Sequence, residues 1–274
     1  MNGPGSNHIF DVNASTLVCG VAGQVDQDSR ATADVLASQP LLTAVALNPE
    51  LGNIVRIYRP APTLAFSRRE SSLPGFAEAV SECGAFGFEP VIRPAGGRAV
   101  ALDPSWFVID ILTPEVGTHG DNREVFRRHG ASFVAQLRAW GVDAALGPVE
   151  GEYCPGDFSI NARKKVKLVG TAQRVVRGAR LFSASVPVTI SRDVSEILAR
   201  VNSLLGLEWK PETLGCLEEE VPGIDPDVVA AGLAATFAGI DPTERTLTDL
   251  LAASRVADGT EPRNYAQPNE EKVK

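Results

Sequence analysis

The sequence predicts an α+β fold, and three observations carry that reading. The centre of the chain is a series of short β-rich runs punctuated by Pro and Gly. Helical patterns collect toward the two ends. The regular β-α-β alternation of a doubly wound parallel sheet is missing. With 274 residues, 44% of them apolar, the chain can bury one sizeable core. The expected organisation is a flexible leader over residues 1–28, one folded domain over 29–255 and a charged tail over 256–274.

Ser29–Leu47 has apolar residues at Val35, Leu36, Leu41, Leu42 and Val45, the spacing of an amphipathic helix interrupted or restarted at Pro40. Ile54–Tyr58, Thr63–Ser67, Pro90–Arg93, Ala99–Leu102 and Trp106–Leu112 read as strands of one sheet. Asp121–Trp140 places Phe126, Phe133, Val134 and Leu137 on one helical face, with Gly141 available as its C-terminal cap. Gly130 inside that helix costs about 1 kcal/mol relative to Ala, which suggests a close crossing by another element. Arg180–Ile190 alternates as a strand, and Asp193–Leu205 reads as a helix with Asp193 as N-cap. Two more helices follow, over Pro226–Ala238 and Thr246–Ser254.

A formal net charge of −8 argues against general nucleic-acid binding, which needs a surplus of bases to neutralise phosphate. No stretch approaches the roughly 18 consecutive apolar residues of a membrane span, and no basic run precedes the short apolar Thr16–Ala22 as in a secretory signal. The four cysteines are widely spaced and suggest reduced thiols, so a cytoplasmic protein is expected. No His, Cys or carboxylate cluster has metal-ligand spacing.

The richest stretch is Gly151–Arg180, a loop followed by a hairpin. In Tyr-Cys-Pro-Gly-Asp, Pro155 pushes Cys154 toward an extended conformation and Gly156 permits a turn, which fixes the pose of a thiol. Cys19, Cys83 and Cys216 read instead as small buried hydrophobes. Eight Lys or Arg and no Asp or Glu lie between Asn161 and Arg192. A base near a thiol raises its thiolate fraction, and a lysine can also donate to a developing oxyanion, so Lys164, Lys165 and Lys167 are candidates. Strict alternation would put Lys165 and Lys167 on one face and Lys164 on the other. Among three histidines, only His119 lies in a loop where it could pair with the cysteine. A second constellation is Arg93-Pro-Ala-Gly-Gly-Arg-Ala-Val100. Its glycine pair is either an ordinary turn or bare backbone against a ligand, with Arg93 and Arg98 placed to hold an anion or carbonyl.

Arg93-x-x-Gly-Gly-x-Ala-Val100, then Lys167-x-x-Gly-x-Ala-Gln-Arg174, resembles the motif pair of the biotin/lipoate protein ligase family, and Pro62–Arg69 sits where that family has its first strand and an arginine-bearing turn. The resemblance covers about Ser29 to Val188. It implies a class II synthetase-like fold, a mixed and mostly antiparallel sheet flanked by helices. It also implies attachment of lipoyl, octanoyl or biotinyl groups to a carrier-protein lysine. Tyr153–Asp157 is similar to the nucleophile loop of the cysteine-dependent octanoyltransferases that serve the glycine-cleavage H protein and the lipoyl domains of E2 subunits. On that likeness Cys154 is the nucleophile and Lys167 the active-site lysine. Arg93, Gly96, Gly97, Arg98, Gly170, Thr171, Ala172 and Gln173 contact substrate, with Gly96 and Gly97 flooring an acyl tunnel. The donor is the H protein or acyl carrier protein, the acceptor is a lipoyl domain steered by the bases of Arg163–Arg180, and no cofactor is required. ATP and magnesium enter only if the chain is instead a lipoate-protein ligase. Arg98 in place of a third glycine, and Phe182-Ser183-Ala184 in place of a His-rich segment, both favour the transferases. A non-catalytic acyl-carrier-binding module is a further alternative.

Overall fold

The computed structural model describes residues 15–19, 31–115, 121–238, 243–247 and 249–250. The chain opens with β1 (Ser15–Cys19), inside the stretch expected to be a leader, and continues through helices α1 (Ala31–Leu36) and α2 (Ser38–Leu47). The expected helix over 29–47 is therefore two, broken at Ala37 rather than at Pro40. Pro40 stands in the first turn of α2, where its missing N–H deprives the helix of nothing. Next come β2 (Asn53–Tyr58), β3 (Thr63–Phe66), α3 (Phe76–Cys83), β4 (Glu89–Ile92), β5 (Val100–Leu102) and β6 (Trp106–Pro114). These strands belong to two sheets rather than one. The parallel pair β3·β4 and the antiparallel pair β3·β5 form a separate three-stranded sheet, while β2 pairs antiparallel with β6.

Helix α4 (Asn122–Ala139) begins at Asp121, whose side chain accepts from Arg123 N, and ends before Gly141 at φ +95°. The close crossing expected at Gly130 is β7 (Ala144–Leu146): a β-carbon on Gly130 would lie 2.5 Å from Leu146 Cδ1. The remaining elements are β8 (Ile160–Ala162), β9 (Val166–Val176), β10 (Ala179–Pro187), α5 (Arg192–Leu204), the short α6 (Leu217–Glu220), α7 (Pro226–Ala238) and β11 (Thr243–Glu244). The cap of α5 is Ser191, whose Oγ accepts from Val194 N, and not Asp193. The aspartate sits within the first turn, where its charge still faces the positive end of the helix. The helix expected over Thr246–Ser254 is described only at its start, where Thr246 Oγ1 accepts from Asp249 N. His119, the tail and most of the leader lie outside the described residues.

The large sheet has the order β11-β1-β2-β6-β10-β9-β8-β7, with β1 parallel to both its neighbours and every other pairing antiparallel. Period-two alternation divides its central strands into two faces. Val55, Ile57, Ile109, Ile111, Phe182 and Ala184 pack under α4 and α7 with Phe133, Leu137 and Leu233. The opposite face carries Ile54, Arg56, Tyr58, Val108, Asp110, Leu181 and Ser183. Helix α2 covers one end of it through Leu41, Leu42 and Val45. At its other end Tyr58 and Val108 join a cluster with the small sheet, α3 and α5. Arg56 on that face is held by Asp34 of α1, and Asp110 and Ser183 line the cavity that follows.

Candidate functional site

Cys154 is half-buried in the loop between β7 and β8. Preceding it, Tyr153 is buried edge-on against Trp209, and burial holds its phenol well above the ordinary tyrosine range, so it stays neutral. The glycine motif approaches the thiol from the other side. Arg98 N donates to Cys154 Sγ at 3.1 Å, and Gly97, at φ +104°, lies so near that a β-carbon there would stand 3.1 Å from Sγ and 2.9 Å from Arg93 Nη2. Glycine is required at that position for both conformation and space. The Arg93 guanidinium ties the loop down by donating to Arg98 O, and that of Arg98 is spent on the carbonyls of Tyr153 and Glu208. Buried Glu70 completes the brace, accepting from Ser67 N and Oγ through Oε2 and from Ala99 N through Oε1.

Lys167 reaches the same place from β9. Its Nζ donates to Cys154 O at 2.6 Å, stands 3.3 Å from Glu152 Oε2 and lies 5.0 Å from the centre of the Tyr153 ring. Strict alternation would put Lys167 and Gly170, three residues apart, on opposite faces. The β8·β9 register shows why they share one: Asn161 pairs with Lys167 but Ile160 pairs with Val169, so β9 carries one extra residue. After the bulge, a β-carbon on Gly170 would sit 3.6 Å from Lys167 Cε. Lys164 and Lys165, expected on the strand with Lys167, occupy the β8–β9 turn instead. Arg163 and Lys164 there have φ of +53° and +56°.

Two cavities meet at Cys154. The narrow one, with the open solvent at its mouth counted in, spans about 650 Å³. It is lined by Cys154, Lys167, Gly170, Thr171 and Ala172, then across β10, β6 and β2 by Ser183, Asp110 and Tyr58. Four adjacent strands at about 4.8 Å spacing make this a groove roughly 14 Å long. Asp110 at its inner end accepts from Ser183 Oγ at 2.7 Å and faces Arg56 Nη1 at 3.7 Å. Burial pushes its carboxyl up against the opposing pull of Arg56. The wider cavity, about 1480 Å³, is lined by Gly96, Gly97, Arg98, Gln173 and Arg174 and by Arg68 and Arg69. The motif residues thus converge on Cys154 but divide between two spaces, with Arg93 on the narrow one and Arg98 on both. Gln173 donates to Asn122 O and accepts from Arg180, so its amide is already engaged by protein.

The run Arg163–Arg180 is not one basic surface. Lys167 and Arg180 are buried, and the exposed bases lie at Arg163–Lys165 and at Arg177, beyond opposite ends of an eleven-residue strand. Such a strand is roughly 36 Å long, several times the screening length of physiological salt. Arg163 is moreover paired with Glu220 at 2.6 Å. The arginines that do cluster are those around the wider cavity.

Sequence reasoning missed three acids, Glu152, Glu70 and Asp110. Glu152 stood in view two residues before the cysteine, beside Glu150 and Asp157, with nothing local to set it apart from them. Nothing local marks Asp110, whose partners come from other strands, and Glu70 bonds locally to Ser67 but reaches the glycine motif only through Ala99.

The model of the lipoyl protein ligase A/B catalytic domain matches residues 32–237. An octanoyl-GcvH:protein N-octanoyltransferase of Exiguobacterium sibiricum is 31% identical over 179 residues, 61% of this chain and 64% of the relative. The enzyme of that name from Geobacillus kaustophilus is 30% identical over 125 residues, 46% of this chain and 44% of the relative. The chain therefore spans less than two thirds of the length of these curated relatives. A crystal structure of lipoate-protein ligase A bound with ATP shares the fold, with a TM-score of 0.61 at 18% identity over 90% of this chain and 96% of that one.

Proposed function

This chain belongs to the lipoyl protein ligase A/B catalytic-domain family, and on that premise we propose that it is an acyltransferase moving an octanoyl or lipoyl group through a Cys154 thioester. The observation that carries the reading is the thiol at the junction of two cavities with a backbone N–H on its sulfur. Sγ bonds to the acyl carbon, and the donor's amine or thiol leaves with a proton. A lysine amine of the acceptor domain then takes the acyl group and restores the thiol. Arg98 N–H and the Lys167 ammonium are the groups that stabilise charge on sulfur and on the carbonyl oxygen. The acyl chain occupies the narrow groove, and the carrier's lysine arm enters by the wider cavity past Gly96 and Gly97. Donor and acceptor are lipoyl-domain proteins, the H protein and E2 subunits among them, or acyl carrier protein as donor, and the reaction takes place in the cytoplasm without a cofactor.

The test is intact mass spectrometry after mixing the enzyme with an octanoyl-loaded carrier in the absence of ATP. The native chain should gain one octanoyl group mapped to Cys154, and Cys154→Ala should gain none. An unmodified native chain that transfers acyl groups only with ATP would establish the ligase reading instead. That alternative is favoured by one feature, the arginine rim of the wider cavity, which suits a polyphosphate. Binding of an acylated carrier with no transfer under either condition would make the protein a carrier-binding module.

A further inference from the structure

Glu152 has no exposed surface, yet it carries a carboxylate. Its Oε1 accepts from Gly156 N and from Ser159 Oγ, each at 2.9 Å, so it braces the turn that follows Cys154. Its Oε2 has no hydrogen bond and faces Lys167 Nζ at 3.3 Å. Lys167, itself buried, donates to the carbonyl of Cys154. Glu152 therefore touches both sides of the site, the loop that presents the thiol and the cation beside it.

Stability alone does not account for such a pair. Taking two charges out of water costs about as much as their attraction returns, and apolar residues of the same volume commonly serve a fold as well or better. What the pair supplies is a fixed position. We propose that Glu152 is a positioning residue that holds the Lys167 ammonium beside Cys154 and locks loop and lysine into one unit. This rests on the acyl-transfer reading only for the identity of the substrate. An ammonium has three N–H groups. One serves Cys154 O and one faces Glu152, which leaves the third for the carbonyl oxygen of the acyl group. Without the carboxylate, the ammonium has no anchor on that side and swings away from the reacting carbon.

Glu152→Gln tests this in the full chain, because Gln keeps an acceptor for Gly156 and Ser159 while removing the charge that faces Lys167. Ser159→Ala, which loses one brace contact and no charge, is the structural control. The measurements are the thermal midpoint, the single-turnover rate of Cys154 acylation by an octanoyl-loaded carrier, and the carrier concentration dependence. Glu152→Gln should slow acylation about tenfold or more with less than about twofold change in apparent carrier affinity, beyond what Ser159→Ala does at a matched midpoint. Combined with Lys167→Met, it should add nothing to the loss caused by Lys167→Met alone. Additive losses, or rates that simply follow the midpoint across the variants, would overturn the assignment. If the native chain is not acylated at all, the transferase reading fails while Glu152 is still tested. The rate of Cys154 alkylation by iodoacetamide in the same variants should then show the same non-additive pattern, and additivity there refutes the proposal.

Discussion

The β-carbon that Gly97 lacks would stand 3.1 Å from the sulfur of Cys154. Two loops distant in sequence therefore meet without a side chain between them. That contact brings Arg98 N–H within hydrogen-bonding distance of the thiol. Gly97→Ala forces a side chain into this gap at φ +104° and also against Arg93 Nη2. It should cost about 1–3 kcal/mol in urea denaturation. It should also slow thioester formation about a hundredfold in a single-turnover mass assay, because the sulfur moves off its donor.

Lys167→Met leaves the carboxylate of Glu152 buried without its cation. Breaking one side of a buried pair costs about 3–5 kcal/mol, more than losing an exposed lysine would. Adding Glu152→Gln, which removes the stranded charge and keeps an acceptor for Gly156 and Ser159, should recover most of that stability while leaving the protein inactive. Denaturation of the single and double variants at neutral pH checks the difference.

His129 on α4 lies against Phe182, with ring centres 4.5 Å apart, and burial pushes its pKa down to about 3, with Arg128 and Arg180 adding to the effect. The unfolded chain, with an ordinary value of 6.5, takes up a proton that the folded chain refuses. This contribution to stability is complete above about pH 6.5 and is lost as the pH falls toward 3. His129→Phe should remove a slope of up to ~1.4 kcal/mol per pH unit within that window, visible in denaturation curves collected between pH 7 and pH 4.

Exposed Arg68 and Arg69 sit on the rim of the wider cavity, where the acceptor domain of the proposed transfer would meet them. Replacing both with Glu should raise KM for the acceptor and flatten its salt dependence, with kcat nearly unchanged. The same change at Lys164 and Lys165, in the β8–β9 turn, should have the smaller effect. Steady-state transfer at low and high ionic strength separates the two surfaces.

The sequence made the helices and strands readable wherever one residue pattern dominated a whole element, as in α4 with Phe133 and Leu137 on its inner face. It was less informative where an element's meaning depends on a distant one. Nothing in Thr63–Phe66 says that this strand leaves the large sheet for a small one. Ser191 takes the cap from Asp193 because the chain turns into α5 at Arg192, two residues earlier than the charge pattern suggests. In the site, Cys154, Lys167 and the glycine pair were singled out by the motif pair they share with the ligase family, since local context alone left three lysines and an ordinary glycine turn open. Glu70 was not, since beyond its local bonds to Ser67 it gains its bracing role only when Ala99 is brought to it by the fold.

The bulge in β9 decides on which side of the sheet the lysine stands. The same letters paired in a regular ladder would send the ammonium in among the hydrophobic side chains under α4 and α7. Pairing register is therefore part of the motif: a relative that kept every motif residue and lost the bulge would have the alphabet of this site without its chemistry.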